Sequence, residues 1–393
     1  MKLKVPITLA VIFLITLSNC VKEEVLIEYS YYDKGDYEII NQYLNLPNDA
    51  VDYSLNFPDY YSSRIRNFNN GMATLGRVLF YDINLSEDRS ISCASCHKQE
   101  LAFSDDLAFS DGVLNRKTTR NSLALGSVFS FREYYGSMSS GRVPFFWDNR
   151  ASTVQEQSKQ TLANEVEMSM NMHEVVERVK EQAYYYPLFR TAFRSAEISE
   201  DNVLDAISEF INSMATFNSK YDEGLEAHFA IYRNFNNLDE VDVPGLTAQE
   251  NLGKTLYVTN CGSCHGNVNG MPGELAANNG LEMNYSDPGM GDVTNYTGDL
   301  GVFKVPTLRN IVKTAPYMHD GRFQTLEAVI DHYSNGIQNF QNLSIQLREG
   351  EQPNAAPKKF NFSQEEKTAL IVFFNTFTDE EFLIDEKFSD PFK

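Results

Sequence analysis

Apolar residues recur at helical spacing along most of the chain from about residue 70 onward. Met72, Leu75, Leu79 and Phe80 follow the interval of three to four residues that is typical of an amphipathic helix. A second helix is predicted from about 200 to 218, where one apolar face is formed by Val203, Ile207, Phe210, Ile211, Met214 and Phe217. No stretch indicates a convincing sheet, so we predict an all-α fold.

Three further helices are marked by sequences typical of an N-terminal cap. Thr-x-x-Glu at 153–156, Thr-x-x-Glu at 247–250 and Ser-x-x-Glu at 363–366 each precede an amphipathic run. An internal repeat accompanies them, because Gly-Arg-Val-Leu-Phe at 76–80 corresponds to Gly-Lys-Thr-Leu-Tyr at 253–257. Two copies of one helical module are therefore predicted.

Each copy of the repeat leads into a Cys-x-x-Cys-His motif, the pattern that attaches a c-type haem. Each thiol adds to one vinyl group of the porphyrin, and the adjacent imidazole binds the iron from the proximal side. Both motifs together use every cysteine but one. Their residues are Cys93, Cys96 and His97 in the first and Cys261, Cys264 and His265 in the second.

Two other interpretations of the four cysteines deserve comparison. One structural zinc could bind both pairs, but it would require them to meet across a long sequence gap and would leave both histidines unexplained. Two local disulfides would each close a strained ring over two intervening residues. Two covalently bound haem c groups are therefore the cofactors that we predict.

The N-terminus has the features of a targeting segment, residues 1–20. Two lysines precede an apolar run from Val5 to Leu17, which is too short to span a membrane. The run ends at Cys20 in a sequence that resembles a bacterial lipoprotein cleavage box, so Cys20 would carry the lipid anchor. An ordinary secretory signal is the alternative, and both place the chain in the periplasm or cell envelope.

The 393 residues suffice for two domains with buried cores. We predict a tether and extended arm over residues 21–66, a first cytochrome c-like haem domain over 67–240 and a second over 241–393. The formal net charge of −21 argues against a nucleic-acid partner and suits a basic electron-donor protein.

Several motifs, in order over residues 70–380, resemble those of bacterial di-haem cytochrome c peroxidases and their MauG-type relatives. The first is the stretch from Leu75 through the haem motif at 93–97. The others are Arg-Asn-Ser at 120–122, Phe-Trp-Asp-Asn-Arg-Ala at 146–151, Glu-Val-Glu-Met at 165–168, Val-Pro-Thr-Leu-Arg-Asn at 305–310 and Thr-Ala-Pro-Tyr-Met-His-Asp-Gly at 314–321. The resemblance implies two all-helical cytochrome c domains in tandem, the first peroxidatic and the second transferring electrons.

The resemblance also implies which residues act on peroxide at the first haem. The family's distal glutamate falls on Glu167 and its distal glutamine on Gln157, while Trp147 takes the place of the tryptophan between the haems. This chain departs from the family pattern at two positions. Asn149 stands where the family has glycine, and Thr161 stands where it has proline.

Classical members of the family carry a second histidine ligand in the loop after the first haem motif. In this chain the next histidine after His97 is His173, which lies beyond the Glu167 motif. We therefore expect the first haem to be open or water-bound on its distal side. Met138 and His173 are the rival ligands.

The second axial ligand of the second haem is predicted to be Tyr333. Peroxidases of the family have a methionine fourteen residues after the histidine that corresponds to His319, whereas MauG-type relatives have a tyrosine there. His332 and Met318 are the rivals, and packing as a core aromatic is the alternative role of Tyr333. His319 is expected to support this haem, and His228 is expected at the surface.

The family resemblance further implies one calcium ion between the domains. By position it would be bound by the side chain of Asn121 and by backbone oxygens of Thr314 and Pro316, with water completing an oxygen shell.

The function implied is a peroxidase that reduces hydrogen peroxide with electrons from a small cytochrome c or cupredoxin, in a family that is often dimeric. A MauG-type oxidase acting on a protein or organic substrate and a plain electron-transfer module are the alternatives.

Overall fold

Helices connected by long loops form most of the structure, a computed structural model that describes residues 31–55, 57–60, 68–128, 145–268, 273–352 and 354–393. The helices are α1 Lys34–Tyr43, α2 Asn70–Tyr81, α3 Cys93–Cys96, α4 Val154–Ala163, α5 Met172–Lys180, α6 Tyr185–Phe193, α7 Glu200–Ser213, α8 Lys220–Tyr232, α9 Ala248–Asn260, α10 Gly262–His265, α11 Met290–Thr294, α12 Leu326–Asp331 and α13 Gln364–Asn375. Two short strands, β1 Ala276–Ala277 and β2 Phe303–Lys304, pair in antiparallel orientation. The helix-rich structure agrees with the all-α prediction.

The predicted helix starts coincide with the observed caps. The Thr153 side chain accepts from the backbone N–H of Glu156 at the start of α4. Reciprocal capping boxes open α9 at Thr247 and α13 at Ser363. The predicted helix 200–218 ends sooner, at Ser213, although the apolar residues that follow it are still buried.

The internal repeat appears as two similar helix crossings. Helix α2 packs on α7 where Gly76 faces Ala206, and a Cβ atom added to this glycine would lie 1.9 Å from the Ala206 carbonyl oxygen. Helix α9 packs on α13 in the same way, with Gly253 facing Ala369 at 2.1 Å. Glycine at both positions lets the backbones approach closely, directly before each haem motif.

Each crossing belongs to one of two large hydrophobic clusters. Apolar residues between 217 and 243 pack in the second cluster, although the predicted boundary at 240 assigns residues 217–240 to the first domain. Phe382, Leu383 and Phe388, near the C-terminus, pack in the first cluster. The division into two haem domains therefore stays a prediction. The C-terminal residues and those just before residue 240 each pack in the other cluster from the one that the predicted boundary implies.

The prediction of an extended arm over residues 21–66 is wrong for residues 34–43, which form α1. Ile40 and Leu44 are fully buried, and the C-terminal tail packs beside them through a bridge between Leu44 and Phe392. The C-terminal tail thus packs against this segment and pairs with its backbone.

Three remaining expectations concern residues outside the arm. His228 is not at the surface, because its ring is buried against Tyr232 and Phe235. The targeting segment with Cys20 and the rival ligand Met138 lie outside the described residues. Along the described ranges, no helix is both long and apolar enough to cross a membrane.

Candidate functional site

The first haem motif forms a single helical turn, α3, at the edge of a cavity lined by Cys96 and His97. The Nδ1 atom of His97 lies 2.8 Å from the Phe103 carbonyl oxygen and 3.2 Å from the Ser122 hydroxyl. A carbonyl can only accept, so Nδ1 carries the proton and Nε2 is the nitrogen that can bind a metal. Burial lowers the pKa of His97, which keeps this nitrogen neutral.

The second motif repeats this arrangement in a separate cavity lined by Cys261, Cys264 and His265. Here Nδ1 of His265 lies 3.1 Å from the Pro306 carbonyl oxygen. Burial raises the pKa of the Cys261 thiol to about 12, so it is a neutral thiol at pH 7. The donor set in each cavity therefore fits one covalently attached haem with a proximal histidine.

The two rival interpretations of the cysteines do not fit. Cys96 of the first pair lines one cavity, and Cys261 and Cys264 line the other. The described residues contain no group of three or more His, Cys, Asp or Glu that could hold a metal ion. All four cysteines are free thiols rather than disulfides.

Glu167 and Gln157 both line the first cavity, as does Thr161 between them. The Gln157 amide donates to the Thr161 hydroxyl over 3.0 Å, and this hydroxyl hydrogen-bonds to the Glu167 carboxylate. Burial raises the pKa of Glu167, and the bond from Thr161 and the charge of Arg150 oppose it. A buried carboxyl group poised in this way can exchange a proton with a bound ligand.

Close loop packing positions Glu167. Its carbonyl oxygen accepts from the Val113 backbone N–H over 3.1 Å, and its own N–H donates to the side chain of Asn164. A Cβ atom at Gly112 would lie 1.8 Å from the Val166 carbonyl oxygen. Only glycine at position 112 therefore lets the loop after the haem motif pack against residue 166.

Among the described residues that line the first cavity, His97 is the single histidine and there is no methionine. His173 is exposed on α5 and does not line the cavity. The structure thus brings no rival protein ligand from the described part of the chain to the distal side.

Trp147 lines both cavities and lies in the wall between them. Its indole N–H donates to the Asn121 carbonyl over 2.8 Å. Asn149, which replaces the family's glycine, adopts a left-handed backbone with φ of 56°. Asparagine tolerates this conformation better than most residues, so the turn after Trp147 forms without glycine.

Tyr333 lines the second cavity from a π-helical turn, residues His332–Gly336. Burial raises the pKa of its phenol, and a hydrogen bond with Asn279 opposes this. Met318 lines the same cavity, and its Sδ accepts from Asn279 over 3.4 Å. His332 does not line it, and its Nε2 lies 3.0 Å from the Asn279 carbonyl oxygen.

His319 also lines the second cavity, where its ring stacks on Phe303 with 3.8 Å between centroids. This position agrees with a supporting role. The wall between the cavities contains a further residue that the sequence analysis did not identify. It is Lys304, whose only sequence signal is a lysine between two apolar residues.

An ion-pair network beside the cavities was also not predicted. Arg120 contacts the carboxylates of Asp148 and Asp287 at 2.5 and 2.7 Å, and Arg150 contacts Asp148 at 2.8 Å. Arg120, Asp148 and Asp287 lie far apart in the sequence, and only the folded chain brings them together.

The calcium site stays a prediction, although the residues that it names lie on neighbouring loops. The Asn121 backbone N–H donates to the His319 carbonyl over 2.7 Å, and Pro316 lies against Gly321. The loops carrying Asn121, Thr314 and Pro316 are therefore neighbours. These donors are neutral, and Ca²⁺ usually binds carboxylates as well, so the residues present do not make a strong calcium site.

A helical protein with two cavities, each built for a covalent haem, and a buried carboxyl group in one of them defines a di-haem c-type redox protein. The family model described as di-haem cytochrome c peroxidase matches residues 70–228. The chain is 31% identical to cytochrome c551 peroxidase of Nitrosomonas europaea, over 80% of this chain and 81% of that protein. It is 30% identical to the methylamine utilization protein MauG of Methylorubrum extorquens, over 78% of each.

The protein belongs to the di-haem cytochrome c peroxidase family and is a peroxide oxidoreductase with haem c cofactors. A solved MauG-like protein associated with microbial copper homeostasis is 31% identical, with a TM-score of 0.64 over 88% of this chain and 99% of that one. The di-haem peroxidase BthA of Burkholderia thailandensis, 19% identical with a TM-score of 0.63 over 87% and 96%, shares the fold.

Proposed function

We propose that the protein reduces hydrogen peroxide in the first cavity with electrons that enter at the second. The observation that carries this proposal is the position of Glu167 in a cavity whose only histidine, among the described lining residues, is His97. Peroxide needs both a vacant coordination place and a group that moves a proton, and a haem held by His97 beside Glu167 would supply them. Two electrons and two protons convert each peroxide to two waters.

His97 with Cys93 and Cys96, and His265 with Cys261 and Cys264, would each hold one haem, which would supply the redox chemistry when bound. Glu167 would take a proton from one peroxide oxygen and give it to the other, which leaves as water. Gln157 and Thr161 would hold the carboxylate in position. Trp147 would relay electrons across the wall between the cavities.

The remaining assignments follow the same model. Tyr333 would be the second axial ligand at the second haem, supported by its place in that cavity. The two glycine crossings support two cytochrome c-like domains in tandem, with residues 217–243 belonging to the second. A small cytochrome c or cupredoxin would be the donor, at a lipid-anchored position in the cell envelope. Dimerisation and a calcium ion remain proposals from the family alone.

A MauG-type oxidase is the second candidate. Tyr333 in the second cavity favours it, because MauG-type relatives have tyrosine at this position. The identities to the two curated relatives, 31% and 30%, do not separate the candidates. Turnover with a reduced small cytochrome would support the peroxidase, whereas peroxide-dependent oxidation of a protein or organic substrate without such turnover would support the oxidase.

The proton role of Glu167 gives a direct test. In the haem-loaded Glu167→Gln variant, the rate of reaction with peroxide should fall by about 10²–10⁴-fold, because the amide cannot accept the proton. Stopped-flow spectroscopy measures this rate. Glu165→Gln is the matched control, since Glu165 is exposed two residues away and should react at the wild-type rate. An unchanged rate in Glu167→Gln would remove this residue from the mechanism.

A further inference from the structure

The loop that follows the first haem motif closes on itself beside the proximal histidine. The backbone N–H of Lys98 donates to the Ser104 carbonyl over 2.9 Å, and that of Phe103 donates to the Lys98 carbonyl over 2.8 Å. Ala102 and Phe103 adopt a left-handed backbone with φ of 54° and 60°, which is uncommon for either residue. This turn brings the Phe103 carbonyl oxygen to 2.8 Å from Nδ1 of His97. Such a conformation persists only where surrounding contacts fix it.

One of those contacts is an ion pair with a buried carboxylate. Asp105 is 1% exposed, and its Oδ1 lies 2.9 Å from Nζ of Lys98, the residue next to His97. The same lysine also pairs with Asp106, whose side chain is 62% exposed. One ammonium group thus faces two carboxylates, so the three side chains together carry one excess negative charge. Water and salt screen the charge of Asp106, whereas they screen that of Asp105 much less.

Closing the loop does not by itself explain a carboxylate at position 105. Asp106 already gives Lys98 a partner at the surface, and moving a second carboxylate out of water has a cost in free energy. A charge kept at this place is explained if it acts on a neighbouring group.

The neighbouring group is the imidazole of His97. Asp105 is connected to it by two short routes, through Lys98, which follows His97 in the chain, and through Phe103, two residues before Asp105. Burial lowers the pKa of His97, and the Phe103 carbonyl and the charge of Asp105 oppose this effect. At His265 the effect of burial on the pKa is opposed by a backbone carbonyl alone. Among the described residues, the charge of Asp105 therefore distinguishes the first proximal histidine from the second.

We propose that Asp105 is a positioning residue whose carboxylate lowers the reduction potential of the haem bound by His97 and leaves that of the haem bound by His265 unchanged. Reduction adds one negative charge at the iron, and a fixed negative charge nearby in a medium of low dielectric constant opposes it. Acceptor groups around a ligating histidine also make it more basic, which favours ferric iron. This inference rests on the proposed binding of one haem by each histidine.

The test is a spectroelectrochemical titration of the haem-loaded protein after its haem content has been measured. In Asp105→Asn, which removes the charge and keeps the size of the side chain, one of the two midpoint potentials should shift to a more positive value and the other should stay. Asp106→Asn is the matched control, because it removes the same charge from the exposed partner of the same lysine. Both of its potentials should equal those of the wild type.

Asp105→Ser provides the same readout if the asparagine variant does not retain its haems. Two unchanged potentials in a neutral variant that holds two haems would overturn the inference, as would equal shifts at both haems or an equally large shift in Asp106→Asn. The titration contains no peroxide. A protein that shows the predicted shift but does not react with peroxide would therefore contradict the proposed function and leave the role of Asp105 intact.

Discussion

The residues around Glu167 form a short chain of hydrogen bonds that keeps one carboxyl group ready for proton exchange. Burial raises its pKa, and the Thr161 hydroxyl opposes that effect. Thr161 occupies the third-last position of α4, where a proline would supply neither a hydroxyl nor a backbone N–H. In this chain the departure from the family pattern therefore replaces a rigid residue with a hydrogen-bonding one.

The position of Tyr333 in the second cavity leads to a prediction about the reduction potential of the second haem. If its phenolate binds iron, Tyr333→Met should raise the midpoint potential of the second haem, because an anionic oxygen ligand favours ferric iron and a thioether favours ferrous iron. Spectroelectrochemistry measures the shift. Tyr317→Met serves as control, since Tyr317 lines the same cavity while its hydroxyl donates to the Ile311 carbonyl. Equal potentials in Tyr333→Met and wild type would exclude Tyr333 as a ligand.

Residues adjacent to a motif could be predicted from the sequence, and residues defined by tertiary environment could not. Glu167 and Gln157 reach one cavity as the motif order implied. The local sequence does not show that Lys304 and His228 are buried, because only the packed structure reveals it. Tyr333 lines the second cavity, and its role as a ligand stays a prediction.

Helices α2 and α9 owe their positions to single glycines that face another helix. Their first turns and caps are readable from the sequence, but the need for glycine at the crossing is visible only in the structure. The carbonyl oxygens of Ala206 and Ala369 approach so closely that a methyl group has no space.

We expect Gly76→Ala and Gly253→Ala each to destabilise the folded protein by about 1–3 kcal/mol, because the added methyl group forces the paired helices apart. Chemical denaturation of the haem-loaded variants measures this free energy. Gly35→Ala is the control, since Gly35 lies in α1 with no atom within 4 Å of an added Cβ atom. Wild-type stability in both crossing variants would contradict the close packing described.

Helix α1 was missed although Tyr37, Ile40 and Leu44 lie at intervals of three and four residues, because this apolar face is only about two turns long. Ile40 is its one fully buried residue, and so short a helix needs contacts with the rest of the chain as well. Asn45 donates through its backbone N–H to the Pro391 carbonyl over 2.7 Å. Such a contact between chain ends leaves no trace in a local sequence window.

The ion pairs of Arg120 connect segments that lie on either side of the second haem motif in the sequence. This residue and Asp148 precede the second haem motif, while Asp287 follows it. Burial alone would raise the pKa of Asp287, but hydrogen bonds from Arg120 and from the Gly289 backbone lower it below its usual value. The ionised carboxylate thus stabilises the folded state.

Asp287→Asn should therefore lower the free energy of unfolding by about 1–3 kcal/mol at neutral pH. Because the folded pKa is depressed, the wild-type advantage should be complete above about pH 4 and disappear as the pH falls through the folded pKa. Denaturation across this pH range measures it. Asp292→Asn, at an exposed position nearby, should show little change, and a constant difference at all pH values would contradict the ion-pair account.

For the molecule as a whole, the sequence predicted two haem motifs and an internal repeat. It did not predict which segments pack in which hydrophobic cluster. Residues 217–243 join the second hydrophobic cluster and Phe388 joins the first. Contacts between residues so distant in sequence depend on the complete fold, so local composition does not predict them, and the domain boundary at 240 stays a prediction.

The central claim is an asymmetry between two irons, of which only the one bound by His97 keeps a free coordination place facing a carboxyl group. Low-temperature electron paramagnetic resonance of the fully oxidised, haem-loaded protein tests it most directly. We predict one high-spin ferric signal from the first site and one low-spin signal from the second. Two low-spin signals would mean that a side chain already occupies the distal place, and would contradict the account.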